Sequence, residues 1–84
     1  IVSYIQDHYR DGLTKADMAR AAGVSISTVE RRFRNTFGIT PGHYARKIRL
    51  NAACKLIRET GLPLSEIATR CGFFDQAGMT HAFR

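Results

Sequence analysis

TPGHYARKIRLNAACKLIRETG, which spans residues 40–61, predicts one long helix that organises the rest of the chain. Thr40 suits the N-cap position, Pro41 suits the first helical position, and Gly61 suits the position just past the end. About twenty helical residues between these signals would form a rod roughly 30 Å long.

Apolar residues are predicted to fall on two sides of this helix. One stripe consists of Tyr44, Ala45, Ile48, Ala52 and Leu56, and a second consists of Leu50, Cys54 and Ile57. Basic or amide side chains separate the stripes. We therefore expect the helix to bury two faces at once and to join two lobes.

The segments on either side of the helix repeat each other. LTKADMARAAGV occupies residues 13–24, and LPLSEIATRCGF occupies residues 62–73, 49 positions further on. One residue is inserted after the glycines, and residues 29–33 then match residues 79–83. Two copies of one helical unit are predicted. The predicted division is a first subdomain at residues 1–39, a connecting helix at 40–61 and a second subdomain at 62–84.

Cap and turn residues in the first copy are typical of a helix-turn-helix. A first helix is predicted to carry the apolar stripe Ile1, Val2, Ile5 and Tyr9. Thr14 and Asp17 then form a capping box for the next helix, Gly23 suits a left-handed turn residue, and Ser25 suits the N-cap of a third helix. Helix, glycine turn and helix in this order favour a helix-turn-helix, although antiparallel helix pairs in ordinary bundles use similar turns.

The third helix is predicted to be amphipathic. Its core face holds Ile26, Val29, Phe33 and Phe37, and its opposite face holds Ser27, Glu30, Arg31 and Arg34. In a helix-turn-helix the second helix of the pair enters the major groove of DNA. The polar face is therefore a candidate base-reading surface.

The second copy has weaker signals than the first. Pro63 stands where Thr14 caps the first copy, so the side-chain cap is expected to be lost. Asp75 suits the N-cap of the last helix, and Met79 and Phe83 are expected to face the core. The last helix is shorter than its counterpart, and we expect its final turn to be missing.

Positive charge is concentrated in the middle of the chain. The 84 residues include thirteen Lys and Arg against seven Asp and Glu, for a formal net charge of +6. Residues 31–58 contain eight basic residues and no acid. This distribution favours nucleic acid as a partner, and its plain alternative is a solvated surface.

Several exposed side chains match the chemistry of base edges. Arg31 can make two hydrogen bonds to guanine, Ser27 can read several bases, and Glu30 can accept from cytosine or orient Arg31. In the second copy Gln76 suits adenine and Ala77 suits the thymine methyl group. The predicted phosphate contacts are Arg32, Arg34, Arg46, Lys47, Arg49 and Arg84.

One position leaves two interpretations open. Gly78, in the first turn of the last helix, either allows close approach of DNA or is a tolerated surface change.

Cys54 and Cys71 are not in metal-binding or redox spacing, and we expect both to be reduced and buried, which favours a cytoplasmic location. No signal peptide or membrane span is predicted, and a chain that opens with Ile inside a helix is expected to be a fragment.

The sequence shows no arrangement typical of catalysis. His8, His43 and His81 lack metal-ligand spacing, and no glycine-rich phosphate loop follows a strand. We expect no enzyme activity, no catalytic residue, no metal and no cofactor. Two rival hypotheses are a protein-docking module that contacts RNA polymerase, and a cysteine-dependent DNA-repair transferase, which would need an activated thiolate.

IRLNAACKLIRETGLPLSEIATRCGFFDQ, residues 48–76, with AFR at residues 82–84, closely resembles the DNA-binding domain of the AraC/XylS family of bacterial transcription regulators. The resemblance covers essentially the whole chain. It implies two helix-turn-helix units on a rigid helix that bind two consecutive major-groove segments of double-stranded DNA. By position it assigns base reading to Ser27, Glu30, Arg31, Gln76, Ala77, Gly78 and His81.

The resemblance also implies partners and departures. The sequence departs from the family at His81, where Arg is common, and at Gly78, where a larger residue is common. Family members usually carry a separate N-terminal domain that senses an effector or dimerises, so an effector is expected to bind outside residues 1–84. RNA polymerase is the further partner that the resemblance implies.

Overall fold

Residues 2–84, which a computed structural model describes, form six α-helices and no strand. They are α1 (Val2–His8), α2 (Lys15–Ala22), α3 (Ile26–Phe37), α4 (Pro41–Glu59), α5 (Leu64–Arg70) and α6 (Gln76–Ala82), with a 3-10 turn at Tyr9–Asp11. The predicted fold class is confirmed: it is all-α, with two helix-turn-helix units joined by a long helix. Ile1, predicted on the first apolar stripe, lies outside the described residues.

Helix starts follow the predicted caps. The Thr14 side chain accepts the N–H of Asp17 at 3.2 Å, and the Asp17 carboxylate accepts the N–H of Thr14 at 3.0 Å, which completes the capping box. Ser25, Thr40 and Asp75 cap α3, α4 and α6 in the same way, each accepting a backbone N–H three residues later. α5 has no side-chain cap, as expected from the proline before it.

The end of α4 differs from the prediction. Thr60 is the C-cap, with extended backbone (φ −134°, ψ 163°), and its N–H donates to the carbonyl of Leu56 at 3.0 Å. The Thr60 hydroxyl donates to the same carbonyl at 2.6 Å. Gly61 is not left-handed. The backbone N–H and hydroxyl of Thr60 thus both bond the Leu56 carbonyl, and the helix ends without a left-handed glycine.

Two hydrophobic clusters lie along the molecule, which measures 41 × 21 × 20 Å. The first cluster consists of Ile5, Met18, Ala19, Val29, Phe33 and Ala45. The second consists of Ala53, Ile67, Ala68, Cys71 and Met79. We call α1–α3 with the N-terminal half of α4 the first lobe, and α5–α6 with the C-terminal half of α4 the second lobe.

α4 buries one stripe, and the prediction of two buried faces is wrong. Tyr44 and Ile48 pack on the first cluster, while Ala52 and Leu56 pack on the second. The predicted second stripe belongs to neither cluster: Leu50 and Cys54 are half-buried, and Ile57 is 43% exposed. Because the two lobes lie at successive positions along α4, one continuous face serves both.

Three aromatic or aliphatic residues expected in the core are exposed instead. Ile26 is 41%, Phe37 is 52% and Phe83 is 47% exposed. Ile26 is the first residue of α3 and Phe37 the last, and the Phe37 ring covers the rim of the first lobe, 6.4 Å from the ring of Tyr44. Helical spacing alone cannot show where a short helix runs past the edge of its core.

The cysteines are free, as predicted, but they differ in burial. Cys71 is buried in the second cluster, whereas Cys54 is half-buried outside both clusters. Burial raises the pKa of the Cys71 thiol above its ordinary value. No helix within residues 2–84 is both long and apolar enough to cross a bilayer.

Candidate nucleic-acid interface

Three of the four residues on the polar face of α3 are available to a partner. Ser27, Arg31 and Arg34 are exposed, at positions i, i+4 and i+7 of a capped twelve-residue helix. Val29 and Phe33 hold the opposite face in the first cluster. The sequence places a guanidinium one helical turn from the helix start, where recognition helices contact base edges.

Glu30 has a partner that the sequence did not predict. Its carboxylate lies 3.5 Å from the ammonium of Lys15, which ties α3 to α2. The side chain is 34% exposed, so this pair is only partly shielded from solvent. Glu30 therefore contributes to the packing of the helix-turn-helix pair, and the alternative that it orients Arg31 finds no contact in residues 2–84.

Arg32 lies apart from the other candidates on α3. It lines a groove of about 420 Å³ with residues of α1 and with Phe37, whereas Arg31 does not. Asn35, which the sequence analysis did not select, is exposed four residues after Arg31 and so shares its face. Its spacing from Arg31 was the available signal, and its amide could pair with adenine.

A second candidate face lies on α6. Gln76, Ala77, Thr80, His81 and Arg84 together line a shallow depression of about 480 Å³, so the structure brings four of the predicted residues into one surface. Thr80 was not among the selected candidates, although it follows Gln76 by one helical turn. The Asp75 carboxylate starts the helix by accepting the N–H of Gly78 at 2.8 Å.

Gly78 does not line this depression. A Cβ at Gly78 would lie 3.3 Å from the cap carboxylate of Asp75, and its backbone is not left-handed. The close contact is therefore with the flexible cap side chain. Gly78 is exposed, and its spacing of three residues from His81 places it next to His81 on the helix surface.

The basic residues predicted on α4 occupy different environments. Lys47 and Arg46 are exposed, and the Arg46 guanidinium lies 3.5 Å from the carbonyl of Ala82 at the end of α6. Arg49 is half-buried, and its Nε donates to the backbone carbonyl of Tyr9 at 3.1 Å. Burial lowers the pKa of the Arg49 guanidinium from its ordinary value.

Metal ligands and buried polar side chains do not form a further site within residues 2–84. In the described part of the chain, no three His, Cys, Asp or Glu side chains come together to hold a metal ion. Every buried side-chain nitrogen or oxygen in residues 2–84 has a hydrogen-bond partner.

Comparison with known proteins gives consistent matches. A family model described as a helix-turn-helix domain matches residues 18–84. The probable transcriptional regulator LumQ of Photobacterium leiognathi is 36% identical over the whole chain, and the HTH-type transcriptional activator RhaS of Escherichia coli is 30% identical. The chain spans 34% and 30% of the lengths of these two relatives.

Solved structures share the fold closely. The DNA-binding domain of AdpA, solved in complex with a target DNA, superposes with a TM-score of 0.92 at 28% identity and covers 99% of this chain and 75% of that one. The C-terminal domain of AraT, a response regulator from Geobacillus stearothermophilus, gives 0.92 at 35% identity, covering 96% and 68%.

Proposed function

We propose that this chain, which belongs to the AraC-type family of helix-turn-helix domains of transcription regulators, binds double-stranded DNA through α3 and α6 in consecutive major-groove segments. One observation carries the proposal. The second helix of each helix-turn-helix displays an exposed polar face, and a single long helix carries both units. The family is a class of DNA-binding domains and not a class of enzymes.

Base reading is assigned to the exposed faces of α3 and α6. On α3 we assign it to Ser27 and Arg31, with Asn35 as an addition. On α6 we assign it to Gln76, Ala77 and His81. Gly78 and Glu30 stay weaker candidates, because Gly78 has no side chain to reach a base edge and Glu30 is engaged by Lys15.

Phosphate contacts are assigned to the exposed basic side chains Arg32, Arg34, Arg46, Lys47 and Arg84. Such contacts position a protein on the duplex without reading its sequence. The absence of acidic residues from 31–58 supports this assignment, because no carboxylate in that segment repels the DNA backbone.

The relatives support a proposal about the wider role. RhaS is named a transcriptional activator, and we propose that this chain serves a cytoplasmic activator that also contacts RNA polymerase. The chain spans about a third of its curated relatives, and we propose that an effector, if there is one, binds to a separate domain outside residues 1–84. The predicted subdomain boundaries, 1–39, 40–61 and 62–84, stay a prediction.

The proposal is tested by the spacing of two half-sites. Binding sites are first selected from random duplexes, and about five base pairs, half a helical turn, are then inserted between the half-sites. The insertion should lower the affinity roughly 100-fold or more, because α3 and α6 can then no longer bind their half-sites together. Unchanged affinity after the insertion would refute two-headed binding, and binding that duplex competitor does not reduce would favour the protein-docking alternative.

A further inference from the structure

Three segments meet where the two lobes touch. The carbonyl oxygen of Tyr9, at the end of the first lobe's opening helix, accepts the Nε–H of Arg49 from the middle of α4 at 3.1 Å. Gly72, in the turn between α5 and α6, lies against the same carbonyl. These contacts join positions about 20 to 60 residues apart in sequence, so no local pattern requires them.

Gly72 has no room for a side chain at this point. A Cβ there would overlap the Tyr9 carbonyl oxygen, well inside the 3.0 Å that real Cβ contacts keep, and would lie 3.0 Å from the Cα of Arg10 and 3.2 Å from Nε of Arg49. The first two of these atoms are backbone, which cannot rotate away. Any side chain at Gly72 must push the second lobe off the first.

The repeat supplies a direct comparison. Gly23 occupies the equivalent turn of the first lobe, with nearly the same left-handed backbone (φ 71° against 91°), yet a Cβ there meets nothing within 4 Å. Left-handed φ accounts fully for a glycine at position 23. At position 72 the second requirement, contact with the other lobe, is added.

Arg49 occupies a position on α4 that suits a structural contact. It lies four residues after Ala45, in the first cluster, and four before Ala53, in the second, so the three share one face. The side chain is half-buried at the junction of the two clusters. A phosphate contact would instead favour an exposed guanidinium, such as that of Arg46.

Tyr9 is itself held in place. It is buried, with 8% exposure, and the neighbouring guanidinium of Arg10 lies 5.1 Å from the centre of its ring. The Nε of Arg10 also donates to the Tyr9 hydroxyl at 3.1 Å. The carbonyl that meets Arg49 and Gly72 therefore belongs to a fixed part of the first lobe.

We propose that Tyr9, Arg49 and Gly72 form an interlobe lock that fixes the orientation of the second lobe relative to the first, and so sets the half-site spacing that the two recognition helices can span. The inference rests on the proposed function. Arg49 is a positioning residue in it and touches no base. The lock adds a contact between the lobes to the packing that Ala53, Ile67 and Met79 make within the second cluster.

The first test compares Gly72→Ala with Gly23→Ala. Both variants place alanine in a left-handed turn, but only the first forces the lobes apart. Affinity is measured for the best duplex and for duplexes with one base pair added or removed between half-sites. For the wild-type protein, adding or removing one base pair should lower the affinity about tenfold. For Gly72→Ala the same change should lower the affinity about threefold or less, or the variant should prefer a different spacing. Gly23→Ala should keep the wild-type spacing profile while melting at a lower temperature.

The second test separates the lock from a phosphate contact at Arg49. Arg49→Lys keeps the positive charge, but the lysine ammonium does not place a donor where Nε stands. The lock predicts that Arg49→Lys and Arg49→Met both broaden the spacing profile. A phosphate contact predicts that Arg49→Lys keeps the wild-type profile and that Arg49→Met weakens all spacings equally, and this result would overturn the assignment.

A measurement without DNA keeps the lock testable if two-headed binding fails. Residual dipolar couplings of the free 84-residue chain report the orientation of α2–α3 relative to α5–α6. The lock predicts one common orientation in the wild type and in Gly23→Ala, and a changed or averaged one in Gly72→Ala and Arg49→Lys. If neither lock variant alters the spacing profile or the relative orientation, then the inference is wrong.

Discussion

Arg31→Ala is expected to remove base discrimination without destabilising the fold. The Arg31 side chain is exposed and takes part in none of the ion pairs within residues 2–84, so its truncation leaves no buried group unpaired. A bidentate guanidinium–guanine pair contributes about 1 to 3 kcal/mol of discrimination. Preference at one or two base positions should therefore fall by roughly 5- to 150-fold.

His81→Ala should cost less than Arg31→Ala. His81 lies in the last turn of a seven-residue helix, and a neutral imidazole offers one donor where a guanidinium offers a fork of several. Ala77, which lines the same depression as His81, has no polar side-chain group to make a further hydrogen bond to a base. The first lobe should consequently supply more of the sequence discrimination.

The assay measures each variant against a panel of duplexes with single-base substitutions at fixed salt, with thermal melting followed in parallel. Arg32→Ala is the matched control, because it removes the same charge from the same helix but on the flank that faces α1. It should weaken binding to all duplexes about equally. If His81→Ala erases more base preference than Arg31→Ala, or if Arg32→Ala relaxes preference as Arg31→Ala does, the assignment of reading to α3 is refuted.

Three further outcomes are expected. If about five of the eight basic residues in 31–58 meet phosphates, log K should fall with log salt at a slope near −4 to −5, and a slope shallower than about −1 would support protein docking instead. Backbone and hydroxyl hydrogen bonds at Thr14 hold the pKa of Asp17 below its ordinary value, so this contribution to stability is present above about pH 4 and is lost as pH falls through the lowered pKa. Asp17→Asn should therefore show a smaller drop in melting temperature on acidification than the wild type. Equal drops in the two proteins would contradict this prediction. In the native protein at neutral pH, a thiol reagent should label Cys54 before Cys71. In denaturant the reagent should label both cysteines at equal rates. Fast labelling of Cys71 in the native protein would instead support the transferase hypothesis.

Local chemistry made the helix starts and the polar faces predictable from sequence. Thr14, Ser25 and Asp75 cap helices because their side chains reach a backbone N–H three residues later, and this depends on nothing outside the segment. The face that carries Ser27 and Arg31 follows from helical periodicity in the same way. Both predictions needed only short stretches of chain.

Features that depend on how the lobes meet were not predictable. Arg49 is predicted from sequence to contact phosphate, because helical position does not reveal a partner 40 residues away. The spacing of four residues from each of two buried alanines was a signal, but it becomes meaningful only when both lobes are seen to use one face of α4. The exposure of Phe83 likewise depends on how far the second cluster extends.

The two copies of the repeat differ in a way that connects these observations. The second lobe has an uncapped α5, a shorter recognition helix and no arginine within that helix. We therefore expect it to contribute less to base reading, and it has weaker local signals for its own structure. Its turn glycine, however, is embedded against the first lobe, whereas the turn glycine of the first lobe is open. The lobe that is expected to read less is thus the one whose turn glycine packs against the other lobe. Contacts made by α6 add to DNA affinity only when α6 meets the groove at the required distance from α3. If the orientation of the two lobes is fixed before binding, even weak individual contacts by α6 can contribute strongly to the total affinity.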